Sequence, residues 1–276
     1  MPVNDPSVYS HSTSSNHGLG HRRMLLSLMV GFFLLWVVLP LLFPNLAYLV
    51  YLLTAPLRYV GVFVHEMGHG LASLLTGGSF YWFQMDADGG VAITGGGWQS
   101  LVLLGGLLGP AVCGSVLLIV STRAAKLWIP YLVLLLFFAC GGYYMFKPVW
   151  LSTADYPLLA QWHMTHLLAL LLPVLLMMAC LFLLRAADAW QRLALQVLGI
   201  IMCYSAFSDT SYIFQYAALG NGMYSDARVF ASLFLPFDVQ ALPWLAFVFF
   251  ALLIGGLNFV LLGLGVKGAL ALPQPR

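Results

Sequence analysis

An HExxH pattern occupies five consecutive residues, His65-Glu66-Met67-Gly68-His69. Residues four apart lie on one face of a helix, so the imidazoles of His65 and His69 can bind one Zn²⁺ from adjacent turns. Glu66 is the only glutamate in the chain. Its carboxylate is placed to take a proton from an attacking water and to deliver it to a leaving amine. The pattern predicts a hydrolytic zinc site, and a structural histidine pair without metal is the alternative.

A third ligand is expected downstream, because catalytic zinc usually takes three protein ligands and leaves a fourth position open. Asp209 is the first candidate, since it lies in an apolar segment where a carboxylate is costly and normally marks function. Neighbouring hydroxyl groups or a watery cavity would also account for it. Asp226 is the second candidate, although a helix N-cap or a first-turn acid would explain it fully. Asp238 ranks behind both as a candidate ligand.

The composition excludes an ordinary soluble domain. Apolar residues make up 62% of the 276 residues and charged residues 7%, whereas charged residues are about 25% of typical soluble domains. The formal net charge is +2, and no basic run alternates with aromatic residues, so nucleic-acid binding has no support. The four cysteines stand singly, without zinc-knuckle or disulfide spacing. The lipid bilayer is therefore the expected environment.

The apolar residues fall into long segments, each sufficient or nearly sufficient to cross about 30 Å of hydrocarbon as a helix. They lie at 24–43, 46–76, 100–121, 127–146, 164–184, 193–219 and 241–265. We expect an all-α polytopic membrane protein with about six to seven transmembrane segments. A disordered polar tail at 1–23, one multi-span domain at 24–267 and a short tail at 268–276 complete the expected organisation.

Two local features shape the surroundings of the motif. Pro56 and Arg58 precede it within one apolar segment, so we expect a break near Pro56 and a re-entrant or double-crossing path. Lys and Arg then divide eight against three and place the N-terminus in the cytoplasm, while a single crossing gives four against seven and the reverse orientation. After the motif, strand-forming residues on both sides of Asp88-Gly89 predict a β-hairpin whose edge could pair with an extended peptide.

In this order, the features resemble those of site-2-protease-like intramembrane zinc metalloproteases, and most closely the short Peptidase M50B-like subgroup. The resemblance covers about residues 60 to 235. It rests on His65-Glu66-Met67-Gly68-His69-Gly70, on Gly89-Gly90-Val91 in the hairpin, on Gly106-Leu107-Leu108-Gly109-Pro110, and on Asp209 followed by Ser225-Asp226-Ala227. HExxH is the specific motif, and the other three gain weight from their order.

The resemblance implies Zn²⁺ as cofactor, cleavage of a peptide bond within or beside a membrane helix, and an aspartate ligand from a later span. The Asn and Pro residues that precede an Asp-Gly ligand in better-known members are not found around Asp209, which is followed by Thr210. The ligand set is therefore His65 and His69 with Asp209, or with Asp226 as the alternative, and Glu66 is the catalytic residue.

The leading hypothesis is an intramembrane zinc metalloendopeptidase that acts on membrane-protein substrates. The alternative is a zinc-binding membrane scaffold or transporter without hydrolytic activity, which an intramembrane Asp209 would also suit. The short chain and the lack of a transit peptide favour a multi-pass protein of a bacterial inner membrane.

Overall fold

The computed structural model describes residues 20, 23–86, 89–147, 169–214, 225–234 and 242–271. Helices dominate this part of the chain, with one two-stranded sheet. The elements are α1 (Arg23–Leu42), α2 (Pro44–Leu75), β1 (Ser79–Met85), β2 (Gly90–Gly95), α3 (Gln99–Arg123), α4 (Trp128–Phe146), α5 (Leu171–Leu183), α6 (Asp188–Ile213), α7 (Asp226–Ser232) and α8 (Leu242–Leu270).

The helices confirm the expected all-α polytopic membrane protein. Among the described residues, five helices are long and apolar enough to cross a membrane, namely α1, α2, α3, α4 and α8. The sequence predicted about six to seven segments. The two remaining predicted segments correspond to α5, which has 13 described residues, and to α6.

The expected break near Pro56 is wrong. Helix α2 continues through Pro56 as one α-helix of 32 residues. Two neighbouring side chains donate hydrogen bonds to carbonyl groups in the turn before the proline: Thr54 Oγ1 to Val50 O at 2.7 Å and Arg58 Nη1 to Tyr51 O at 3.0 Å. The missing N–H of Pro56 would have bonded to Leu52 O, four residues earlier, so these two bonds strengthen the adjacent turn and do not replace the lost one. A membrane helix tolerates proline, and α2 does not end there. The re-entrant path and the orientation derived from it lose their premise.

Helix α3 is the centre of the fold and packs against α2, α6, α7 and α8. Its closest approach to α2 is between backbones, because a Cβ on Gly68 would collide with the carbonyl group of Gly105. A Cβ on Gly105 would in turn lie 2.7 Å from the Cβ of Ala72. Glycines at this crossing let the two helices pack at a distance that side chains would prevent.

The predicted hairpin is confirmed as an antiparallel pair in which Phe83 of β1 lies opposite Ala92 of β2. Aromatic rings fix it to the helices. The ring of Phe80 covers Gly70 of α2 and stacks on Tyr144 of α4 at a centroid distance of 4.1 Å. The rings of Phe83 and of Phe63 in α2 pack edge to face, with a centroid distance of 5.6 Å. The hairpin is therefore packed against the helix that carries the HExxH motif.

The buried side chains form two main hydrophobic clusters. One surrounds α2 and includes Phe63 and Met67, both fully buried, with residues of β1, α4, α5 and α6. The other joins α3, α7 and α8, and its members include Leu107, Phe230 and Phe247. The motif helix and the short helix α7 thus belong to different clusters, and they meet across α3.

Candidate metal centre

Three side-chain atoms converge where α2 meets α7. His65 Nε2 lies 3.1 Å from Asp226 Oδ2 and 3.2 Å from His69 Nε2, and His69 Nε2 lies 3.3 Å from Asp226 Oδ2. Both imidazoles are buried, and the Asp226 side chain is 20% exposed. Among the described residues, these three form a group whose ligand atoms lie close enough together to hold one metal ion.

This triangle fits a zinc ion in both spacing and chemistry. In a tetrahedral site with metal–ligand distances of about 2.0–2.2 Å, neighbouring ligand atoms are roughly 3.3–3.6 Å apart. The three edges, at 3.1, 3.2 and 3.3 Å, lie at or just below that range. Two imidazoles and one carboxylate are a catalytic ligand set that leaves a fourth position for water or substrate.

Helix α3 orients the second imidazole. The other ring nitrogen of His69, Nδ1, lies 2.8 Å from the backbone carbonyl of Val102. A carbonyl only accepts, so Nδ1 carries the proton and Nε2 presents its lone pair to the triangle. Gly106, one turn further along α3, lies flat against the His69 ring, where a Cβ would collide with it. Val102 and Gly106 therefore fix both the tautomer and the direction of the ring.

Glu66 is buried next to the triangle, 4% exposed, and close enough to His65, His69 and Asp226 for their charges to interact. The backbone N–H of Ala92 in β2 is near enough for a favourable electrostatic interaction with the Glu66 carboxylate. The backbone of Gly90 lies against the same carboxylate. The single glutamate of the chain is thus enclosed between the motif helix and the hairpin.

Asp226 is the first residue of α7, and the helix cap directs it to the site. Ser225 is the N-cap, and its side chain accepts a hydrogen bond from the backbone N–H of Arg228. Ala227 and Phe230 bury one face of α7 against α3 and α8. Ser225 takes the capping role, and the Asp226 carboxylate reaches the two imidazoles.

The electrostatics of Asp226 agree with a ligand that stays ionised. Burial would raise the pKa of this carboxyl group, but without a metal the charge of a protonated His69 and hydrogen bonds with His65 and His69 hold the pKa well below its ordinary range. A bound cation would take the place of that positive charge, with both imidazoles neutral. An ionised carboxylate is the form that binds a metal cation.

The other aspartates named from the sequence occupy different positions. Asp209 lies in α6, one turn after Ser205, which packs against Gly61 of α2. The side chain of Asp209 lies outside the described part of the chain, and so does Asp238. The sequence reasoning missed the roles of Val102 and Ala92, which act through backbone groups. Gly106 stood in a quoted motif, but its contact with His69 depends on how α2 and α3 cross.

Comparison with known proteins identifies the family. A sequence profile described as Peptidase M50B-like matches residues 25–261, which is most of the chain. No curated protein and no solved structure shows a significant match. The chain belongs to the Peptidase M50B-like family, which points to a membrane-embedded peptidase.

Proposed function

We propose that this member of the Peptidase M50B-like family is an intramembrane zinc metalloendopeptidase of a bacterial inner membrane. His65, His69 and Asp226 are its metal ligands, and Glu66 is its general base and acid. The observation that carries the proposal is the convergence of three ligand atoms at 3.1–3.3 Å beside a buried glutamate. Asp209 remains the alternative third ligand.

The residues divide the chemistry among them. When bound, Zn²⁺ would polarise the peptide carbonyl as a Lewis acid and lower the pKa of water, so that the water can lose a proton and attack at neutral pH. Glu66 takes the proton from the attacking water and carries it to the nitrogen of the leaving amine. Val102 keeps the His69 ring in its binding tautomer. Asp226 adds the negative charge that two neutral imidazoles lack.

The position of the motif in α2 supports an intramembrane substrate. His69 and His65 lie about 9 and 15 Å along the helix axis from its end at Leu75. The apolar helix α3 packs along α2, and α6 also contacts it. A peptide bond brought to this depth belongs to a transmembrane segment or to its immediate flank, so the substrate class is membrane proteins.

The hairpin offers a docking edge for an unwound substrate. Of the described strands, β1 alone pairs with β2, and the backbone N–H of Ala92 in β2 interacts electrostatically with Glu66. A substrate strand added near this edge would run past the catalytic carboxylate. A helical peptide bond is shielded, so substrates need residues that loosen a membrane helix.

The decisive experiment replaces Glu66 by Gln in purified protein in liposomes with a model transmembrane substrate. Cleavage should fall by about 10²–10⁴-fold, the usual contribution of general acid–base catalysis, while one zinc per chain is retained. Chelation should abolish wild-type cleavage and added zinc should restore it. Asp188→Asn is the matched control, because it makes the same carboxylate-to-amide change at an exposed residue at the start of α6.

Full activity in Glu66→Gln would refute the assigned general base. Wild-type protein that binds one zinc and cleaves no membrane peptide would instead favour a zinc-binding scaffold or transporter.

A further inference from the structure

We propose that strand β2 is the positioning element of the catalytic carboxylate, with Gly90 providing the space and Ala92 the hydrogen bond that hold Glu66 in its reactive position. This inference rests on the proposed function, because it assigns a role in catalysis to the hairpin. It assigns different roles to Gly89 and Gly90, although two adjacent glycines are typical of an ordinary turn.

The steric argument concerns Gly90. A Cβ on this residue would lie 2.6 Å from Glu66 Cγ, 2.7 Å from Oε1 and 2.8 Å from Cδ. Non-bonded carbon and oxygen atoms do not approach so closely, so either the strand or the glutamate would have to move. The crowded atoms are the far end of a flexible side chain. A side chain at position 90 would therefore displace the carboxylate and leave the hairpin in place.

The hydrogen-bond argument concerns Ala92. Its backbone N–H is near enough to the Glu66 carboxylate for a favourable electrostatic interaction, and the proposal assigns it a hydrogen bond to that carboxylate. Glutamate has several rotatable bonds, and a fixed donor restricts which rotamer it occupies. With Gly90 leaving room for the carboxylate and Ala92 bonding it, β2 determines where the proton-transferring oxygen lies.

The strand can hold this position because it is itself anchored. Its partner β1 packs through Phe80 onto Gly70 and through Phe83 onto Phe63. Both of these contacts are with α2, the helix that carries Glu66. The glutamate and the strand that positions it are thus tied to one helix, and an error of about 1 Å in such a position can cost about 100-fold in rate.

The test compares Gly90→Ala with Gly89→Ala. Gly89 is the matched control, because a Cβ on it meets no atom within 4 Å. Gly90→Ala should lower kcat by about 100-fold, with KM and zinc content unchanged, and Gly89→Ala should behave as the wild type. Wild-type kcat in Gly90→Ala would overturn the proposal, and so would loss of its zinc or of its folded state.

A double-mutant cycle tests the contact itself. Glu66→Ala removes the Cγ, Cδ and carboxylate oxygen atoms that a Cβ on Gly90 would crowd. In that background Gly90→Ala should cause little further loss of the residual kcat, because the crowded atoms have gone. An undiminished loss of about 100-fold would show that Gly90 acts by another route and would overturn the steric argument.

Amide hydrogen exchange provides a readout that requires no activity. In metal-free protein, exchange at the Ala92 N–H should be faster in Gly90→Ala than in the wild type, because its acceptor has moved, and unchanged in Gly89→Ala. Equal exchange in all three proteins would contradict the hydrogen-bond argument. If the wild type cleaves nothing, the proposed function fails, and this measurement still decides whether β2 holds Glu66.

Discussion

The two histidines and the aspartate reach the candidate centre from regions of different construction. His65 and His69 lie within one helix of 32 residues, whose crossing with α3 is a backbone contact between glycines. Asp226 begins a helix of seven residues that packs on α3 and α8. The histidine region belongs to the larger hydrophobic cluster around α2, and the aspartate region to the cluster around α8.

This difference shows which part of the site depends on the fold as a whole. The spacing of the histidines follows from the helix itself, so it exists wherever α2 is helical. The aspartate reaches the histidines only when α7 packs against two other helices, α3 and α8. We infer that the histidine pair is the permanent part of the metal site and that α7 completes it.

The largest effect is expected from the histidine region. His69→Ala removes a ligand and the ring that Val102 orients, so bound zinc and cleavage should both fall below detection. Metal analysis of the purified protein and cleavage of the model substrate measure this. His69→Ala protein that keeps one zinc would show that the pair is not the permanent part of the site.

The second-largest effect is expected from the aspartate region. Asp226→Ala should weaken zinc binding by more than about 100-fold, beyond the 10–100-fold typical of groups that only support a ligand. Asp209→Ala should weaken it less. Competitive zinc titration with a chromophoric chelator measures both affinities. The reverse order would assign the third ligand to Asp209 and remove α7 from the metal site.

A smaller effect is expected where α3 meets the histidine region. Gly106→Ala would push the His69 ring from its position, because the added Cβ collides with it, and zinc affinity should fall by about 10–100-fold. Gly255→Ala is the control, since it makes the same change within α8 where no atom lies within 4 Å. Equal zinc affinity in the two variants would contradict the role of Gly106.

The smallest effect concerns the cap of α7. Ser225→Ala removes the side chain that accepts from Arg228 N–H and should cost about 1 kcal/mol, a roughly fivefold loss of zinc affinity through the docking of Asp226. Ser225→Gly should cost only a few tenths of that energy, because glycine is tolerated as an N-cap. If Ser225→Ala lost all its zinc, as is expected of His69→Ala, α7 would be as essential to zinc binding as the histidine pair.

The sequence predicted those features that local patterns determine. The HExxH pair, the helical class and the hairpin each depend on residues close together in the chain, and the fold has the predicted helices and hairpin. The ranking of Asp209 above Asp226 rested on the cost of a carboxylate in an apolar segment. The approach of Asp226 to His65 depends instead on the packing of α7, which no local pattern reports.

The failed expectation at Pro56 has a similar origin. Proline lacks the N–H that an unbroken helix requires, and that part of the argument holds. The side chains of Thr54 and Arg58, two residues to either side, donate to carbonyl groups of the adjacent turn, and neither replaces the bond from position 56 to Leu52 O. The helix continues all the same, because proline is tolerated within membrane helices, a context that the local rule leaves out.

The unbroken course of α2 ties the candidate centre to the thickness of the surrounding lipid. A helix of 32 residues is about 48 Å long, well beyond the roughly 30 Å of a hydrocarbon core. Such hydrophobic mismatch is relieved by tilting. In a tilted α2, a residue at a given distance from the helix end lies closer to the membrane surface than it would in an upright helix. Lipids with longer acyl chains would draw the helix upright and submerge the HExxH turns, so hydration of Glu66 becomes partly a property of the bilayer.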